Sequence, residues 1–157
     1  MKTNIMALAE QPFCKGLSES LLKILAKEAM PVEFKAGEEI FNEGGPANRF
    51  YLIGSGMVEL EAPIDREHKP LVIETVGAGG LLGWSWLFPP YYWHFDACAL
   101  TPVKAIFFYG TRLREECETN HELGYELMKR INAVVIERLQ ATRHRLVEAS
   151  TKLLPPV

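Results

Sequence analysis

AGEEIFNEGGPANRFYLIGSGMVEL, residues 36–60, decides how the rest of the chain is read. Short runs alternating apolar and polar residues are cut by glycine: AGEEIF, NEGGPAN, RFYLI, GSG, then MVELEA. Alternation with period two places every second side chain on one face of a strand, and glycine supplies the turns. The pattern extends from Val32 to about Phe108, through VEF on one side and PLVIETV and ACALTPVKAIFFY on the other. Gly37, Gly44, Gly45, Gly54, Gly56, Gly77, Gly79, Gly80 and Gly83 crowd into this half. Strands of roughly five residues at roughly 8–12-residue spacing predict a β-sandwich or barrel. IDREHKP, residues 64–70, reads as a polar hairpin loop.

Helical patterns flank this region. Ser18 is placed to cap ESLLKILAKEAM, with Leu21, Leu22, Leu25, Ala26 and Ala29 on one face and Pro31 as the stop. Beyond Gly110, Thr111 is expected to cap RLREECE, and Asn120 to cap HELGYELMKRINAVVIERLQATRHRLVEAS. In the second helix Met128, Ile131, Val135, Leu139, Thr142 and Leu146 recur at steps of three and four. Leu123, Leu127 and Val134 widen the stripe at its start. A helix of about 25–30 residues outruns one small roll. Those six residues are therefore the expected interface of a homodimer. The reading is one domain over 1–157, mainly β with flanking helices: an N-terminal helix at 12–30, a β-roll of about eight strands at 31–109, and C-terminal helices at 111–150. TKLLPPV is expected to be a frayed tail.

The totals fit one ordinary globular domain: 157 residues, 48% apolar and 24% charged. A net charge of −3 argues against general binding to nucleic acid or anionic membranes. The apolar run near the N-terminus is too short for a signal peptide, and no stretch of about 20 residues is apolar enough to span a bilayer. A cytoplasmic location is expected. Cys14, Cys98 and Cys117 are widely spaced without a CxxC, which predicts free thiols rather than a thiolate metal site.

Residues 36–60 resemble the opening of the cyclic-nucleotide-binding domain in the cyclic-AMP receptor protein superfamily. That pattern is Gly-Glu-x-Ile-Phe-x-Glu-Gly, a gap, then Tyr-Leu-Ile-x-x-Gly-x-Val. Gly37, Glu38, Ile40, Phe41, Glu43, Gly44, Tyr51, Leu52, Ile53, Gly56 and Val58 match it. VGAGGLLG, residues 76–83, is similar to the glycine-rich approach to the family's phosphate-binding cassette. The resemblance covers roughly residues 12–147. It implies a jelly-roll β-roll (a double-stranded β-helix) followed by a long dimerisation helix.

The cassette itself departs from the pattern. In ligand-binding members a glutamate follows the last glycine and holds the ribose, and an arginine about ten residues later pairs with the cyclic phosphate. Aligned on that pattern, LLGWSWLFPPYYWHFDACAL, residues 81–100, puts Trp84 at the glutamate and Trp93 at the arginine. No Lys or Arg lies between Lys69 and Lys104. Two charged hydrogen bonds at roughly 1.5–3 kcal/mol each correspond to on the order of a hundredfold to ten-thousandfold in affinity. Gly83, Trp84, Ser85, Trp86, Trp93 and His94 are thus the candidate ligand-pocket residues of a degenerate cassette. Backbone N–H groups near Trp84, Ser85 and Trp86 offer a weak anion site at a helix start. Arg49, Arg112, or a partner's basic residue at position 143, are candidates to enter from outside.

Three readings of the aromatic stretch stay open. It is a pocket relined for a less charged ligand, a self-filled interior, or an exposed patch for a partner protein. His94 and Asp96 would share a strand face, which suits a structural hydrogen bond more than half a catalytic dyad. A cupin-like metalloenzyme is disfavoured, because His68, His94, His121 and His144 lie singly and far apart. Arg138, Arg143, His144 and Arg145 complement the helix C-terminus. The family's regulators carry a helix-turn-helix after the long helix, and none is expected here. The expectation is a non-catalytic regulatory or sensor domain, without cofactor or metal, that does not take cyclic AMP in the usual way. Its partners would be a second copy of itself and a small ligand or protein.

Overall fold

The computed structural model describes residues 5–156; Met1–Asn4 and Val157, included in the single-domain expectation, lie outside the described residues. Helix α1 (Ile5–Ala9) leads through a 3-10 turn (Pro12–Cys14) to α2 (Glu19–Lys27). Strands β1 (Ala29–Phe34), β2 (Glu39–Phe41), β3 (Arg49–Ser55), β4 (Val58–Ala62), β5 (Leu71–Val76), β6 (Leu81–Leu82), β7 (Asp96–Ala99) and β8 (Val103–Tyr109) follow. Helices α3 (Gly110–Thr119) and α4 (His121–Lys152) end the chain. The strands form two antiparallel sheets, ordered β1-β8-β3-β6 and β2-β7-β4-β5. This is the expected roll.

Ser18 caps α2 by accepting from the Leu21 N–H, and Asn120 caps α4 by accepting from the Leu123 N–H. Such caps are each worth about 1 kcal/mol. The expected helix over 12–30 is shorter, because the chain turns at Pro12–Cys14 and α2 ends at Lys27. Pro31 does not stop it. It sits in edge strand β1 opposite Ile106, where a missing N–H costs least. Thr111 caps nothing; α3 starts at Gly110, whose N–H donates to the Asn48 carbonyl. ACALTPVKAIFFY divides into β7 and β8, which lie in different sheets. Against the turn between them packs the β3–β4 turn, where Gly56 is required. Its φ is +92°, and a Cβ there would lie 2.2 Å from the Pro102 carbonyl oxygen. The loop between β4 and β5 is closed by Asp65, whose carboxylate accepts from the Glu67 and His68 N–H groups.

Two apolar clusters hold the molecule. One fills the roll: Phe41, Tyr51, Ile53, Val58, Leu60, Leu82 and Trp93 are among its members. The other joins helices to the outside of the β1-β8-β3-β6 sheet, with Phe50 stacked between Trp86 and Phe108 at 4.9 and 4.5 Å. Leu123, Leu127 and Ile131 of α4 belong to this second cluster and are fully buried. Ile131 is therefore occupied within its own chain and does not face outward with the expected stripe. Val135 is half-buried, while Met128, Leu139, Thr142 and Leu146 are exposed. α4 runs 32 residues and takes in Thr151 and Lys152 of the expected tail.

Candidate functional site

The three tryptophans of residues 81–100 go to three places. After β6, Gly83 adopts φ +94° and is packed so closely that a Cβ would lie 3.0 Å from the Trp93 ring. Only glycine lets the chain turn there with Trp93 underneath. Trp93 is 4% exposed and stacks on Phe41 with centroids 3.9 Å apart and planes within 13°. Its side chain belongs to the roll interior. Trp86 is fully buried in the other cluster, on Phe50. Trp84 stays half-buried, stacked on His94 at 5.1 Å and edge-on to Phe88.

Trp84, Ser85 and His94 are thus brought together, and Trp86 and Trp93 are not. Ser85 Oγ and His94 Nδ1 share a hydrogen bond at 2.9 Å. The expected His94–Asp96 bond does not form: Asp96 opens β7 and its Oδ1 accepts from the Glu43 N–H at 2.7 Å. His94 lies before that strand, so the two-residue alternation does not reach it. The expected anion-binding helix start is a single 3-10 turn, Ser85–Leu87, with little dipole behind it.

Sequence reasoning missed how basic residues reach this loop. Arg114 of α3 donates from Nη1 to the Trp86 carbonyl at 2.6 Å, and its guanidinium lies 3.8 Å over the Tyr91 ring. Tyr91 sits at φ +61°, rarely populated by a residue with a side chain. Arg114 therefore fastens both ends of the turn to α3, and Gly110 closes against Trp86 beside it. Arg49 does approach Trp93, with Cζ 5.6 Å from the ring. Its Nε, Nη1 and Nη2 are already donated to Tyr51 Oη, Asn48 Oδ1 and the Ile40 carbonyl. Burial pushes the Tyr51 phenol up, partly offset by Arg49. Arg112 is elsewhere, paired with Glu28 and over Tyr109. Arg143 is exposed on α4.

The profile of the cyclic nucleotide-binding domain family matches residues 31–120, more than half of the chain. The chain belongs to the cyclic nucleotide-binding domain family. A solved structure of a Geobacter metallireducens protein named for cyclic nucleotide binding is similar at 31% identity and a TM-score of 0.78, over 87% of this chain and 98% of that one. A cyclic nucleotide-binding domain from Methylobacillus flagellatus shares the fold at 18% identity and a TM-score of 0.74, over 90% and 77%. The CRP-like cAMP-activated global transcriptional regulator of Mycobacterium tuberculosis is 29% identical over 143 residues, 90% of this chain and 61% of that protein. This chain therefore spans less than two thirds of that relative's length. No helix among the described residues is long and apolar enough to cross a membrane.

In this member of the cyclic nucleotide-binding domain family, α4 is also tied to the roll. Glu74 of β5 is the register partner of buried Leu60, which puts its carboxylate on the interior face of the sheet. Arg138 of α4 meets it there, Nε to Oε2 at 3.1 Å, and donates from Nη2 to the Leu81 carbonyl at 2.5 Å. Arg145 adds a bond to the Val72 carbonyl. Three of the four residues predicted only to complement a helix end thus divide: Arg138 and Arg145 bond to β5, and His144 pairs with Glu148.

Proposed function

We propose that the chain is a non-catalytic, cytoplasmic regulatory domain whose roll interior is self-filled, so that it does not hold cyclic AMP in the family's usual way. The observation that carries this is Trp93, buried on Phe41 inside the roll, at the position the resemblance assigns to the phosphate-pairing arginine. The cations nearest the loop are committed: Arg49 to Ile40, Asn48 and Tyr51, Arg114 to Trp86 and Tyr91. A phosphate in the interior would meet the Trp93 indole in place of an arginine, and burying it without a charged partner costs several kcal/mol or more. Thermal-shift measurement against cyclic AMP and cyclic GMP tests this. No stabilisation is expected at micromolar nucleotide, and a saturable rise in Tm overturns the reading.

The same proposal makes the domain a homodimer through α4. Tyr125, Asn132, Leu139, Leu146 and Leu153 recur every seven residues, with Met128, Val135 and Thr142 between them. That is a heptad stripe, and Leu139 and Leu146 are each 67% exposed in the protomer. Asn132 replaces Ile131 in the stripe, and one polar residue at such a seam favours a single register. Sedimentation tests it: a dimer is expected at tens of micromolar, and a monomer there refutes it.

A second reading keeps a small-ligand sensor at the aromatic surface. The half-buried Trp84–His94 stack, with Ser85 held to His94, favours it. Loss of ligand response in Trp84→Ala with the fold intact would distinguish it.

A further inference from the structure

Carboxylates gather on the outer face of the β2-β7-β4-β5 sheet. Glu39 of β2 lies opposite Cys98 of β7, and Cys98 lies opposite Glu59 of β4. One step along the same β7–β4 ladder, Asp96 lies opposite Glu61. Their strand neighbours Ala97, Leu60 and Ile40 are buried in the roll, so these side chains stand on the solvent side. No cation answers them. β5 sets Thr75 and Val72 against Glu59 and Glu61, and Glu74 faces the interior with Arg138. Arg66 and Lys69 of the β4–β5 loop do not act on Glu61. Like charges set opposite each other weaken a ladder. Burial, then the charges of Glu59, Asp96 and Glu39, hold the Glu61 carboxyl above its ordinary value, and Glu59 and Glu61 are close enough to share a proton. Burial, with Glu61, Glu39 and Glu59, likewise pushes the Cys98 thiol up.

The repulsion falls on a weak strand. β2 is a three-residue edge strand, paired with β7 alone through a register shift between Glu39 and Phe41. Just before it, the Glu38 carbonyl accepts from the Ala99 N–H at 2.9 Å. Phe41 is the platform under Trp93. The chain leaving β2 then holds Trp93 by both backbone groups: the Gly44 N–H donates to the Trp93 carbonyl at 2.9 Å, and the Trp93 N–H to the Gly45 carbonyl at 3.0 Å. A β2 that shifts on β7 therefore moves the seat of Trp93.

We infer that this carboxylate face is a pH-set latch on β2: a proton held between Glu59 and Glu61 lets β2 close on β7 with Phe41 under Trp93, and its loss loosens both. The latch regulates the self-filled roll and rests on that reading. A carboxyl raised in the folded state contributes stability that is complete below its ordinary value of 4.5 and is lost as pH rises through the folded value. The latch is tight in mild acid and loosens toward neutral pH.

Hydrogen exchange of the full chain at about pH 5 and about pH 8, corrected for intrinsic rates, tests it. Protection of the Gly44, Trp93 and Ala99 amides should be about twofold to fivefold lower at the higher pH, the reach of one cross-strand charge pair. The β3 and β8 amides should not change. Glu61→Gln, which removes the charge at constant size, should keep the higher protection at both pH values. So should salt at about 1 M, where screening acts within about 3 Å. Equal wild-type protection at the two pH values, the same fall in Glu61→Gln, or a fall shared by β3 and β8 overturns the latch. NOE contacts between the Phe41 and Trp93 rings separate the two readings. Contacts present with pH-independent protection overturn the latch alone, whereas contacts absent at both pH values overturn the self-filled roll and the latch with it.

Discussion

Trp93 lies flat on Phe41 inside the roll, centroids 3.9 Å apart, with Gly83 pressed against its edge. A side chain packed this way is part of the core rather than the lining of a vacant site. Trp93→Ala should therefore cost about 3–5 kcal/mol. Trp84→Ala, at a half-buried position, should cost about 1 kcal/mol. Urea denaturation of both variants checks the contrast, and equal losses would place Trp93 outside the core.

Arg114 fastens the aromatic turn to α3 through Trp86 and Tyr91. Arg114→Ala should cost about 2 kcal/mol, combining one charged hydrogen bond and one cation–π contact. Hydrogen exchange should quicken over residues 84–94 while the β3 and β8 amides stay protected. Uniform loss of protection would show that Arg114 acts on the whole fold and not on the loop.

Glu74 and Arg138 join β5 to α4. Glu74→Ala leaves a buried guanidinium short of its carboxylate and should cost about 2–3 kcal/mol, below the figure for a fully buried pair because Glu74 keeps some solvent. Adding Arg138→Met should recover part of that loss. A double-mutant cycle measures the coupling, and additive losses would dismiss the pair as a joint unit.

On α4, Leu139→Asp should leave the protomer folded and shift sedimentation to monomer. Ile131→Ala should instead cost about 2–5 kcal/mol of protomer stability, because Ile131 is fully buried in the helix–sheet cluster. A dimer that survives Leu139→Asp contradicts the proposed seam.

Burial pushes the Cys14 and Cys117 thiols up to about 11, Cys14 despite the nearby Arg130 and Cys117 with help from Glu118 and Glu116. Raised folded-state values favour the protonated form. Their contribution to stability is complete below the ordinary thiol value of 9.0 and is lost as pH rises from there through about 11. Stability should fall across that window, and less so in a Cys14→Ala, Cys117→Ala variant. Unchanged pH dependence in that variant would contradict the assignment.

What was legible in the sequence was local. The caps at Ser18 and Asn120, the hairpin loop at Asp65 and the period-two strands each follow from residues within a few positions. The tryptophan at the arginine position was readable from spacing, but its stack on Phe41 joins β2 to the loop before β7. Arg138–Glu74 and Arg114–Trp86 link residues 64 and 28 positions apart, and nothing in a single sequence pairs them. The face of α4 at Ile131 was misread because steps of three and four serve two neighbours at once. Its inner stripe, Leu123, Leu127 and Ile131, packs on the roll, and the outer one begins one residue further round.

The central claim is that the tryptophan cassette excludes the family's nucleotide from the roll. Calorimetric titration of the full chain with cyclic AMP tests it most directly. The account predicts no heat of binding at micromolar ligand, in the wild type and in Trp84→Ala alike. A micromolar Kd at one site per protomer, weakened by substitutions around Trp93, would contradict it.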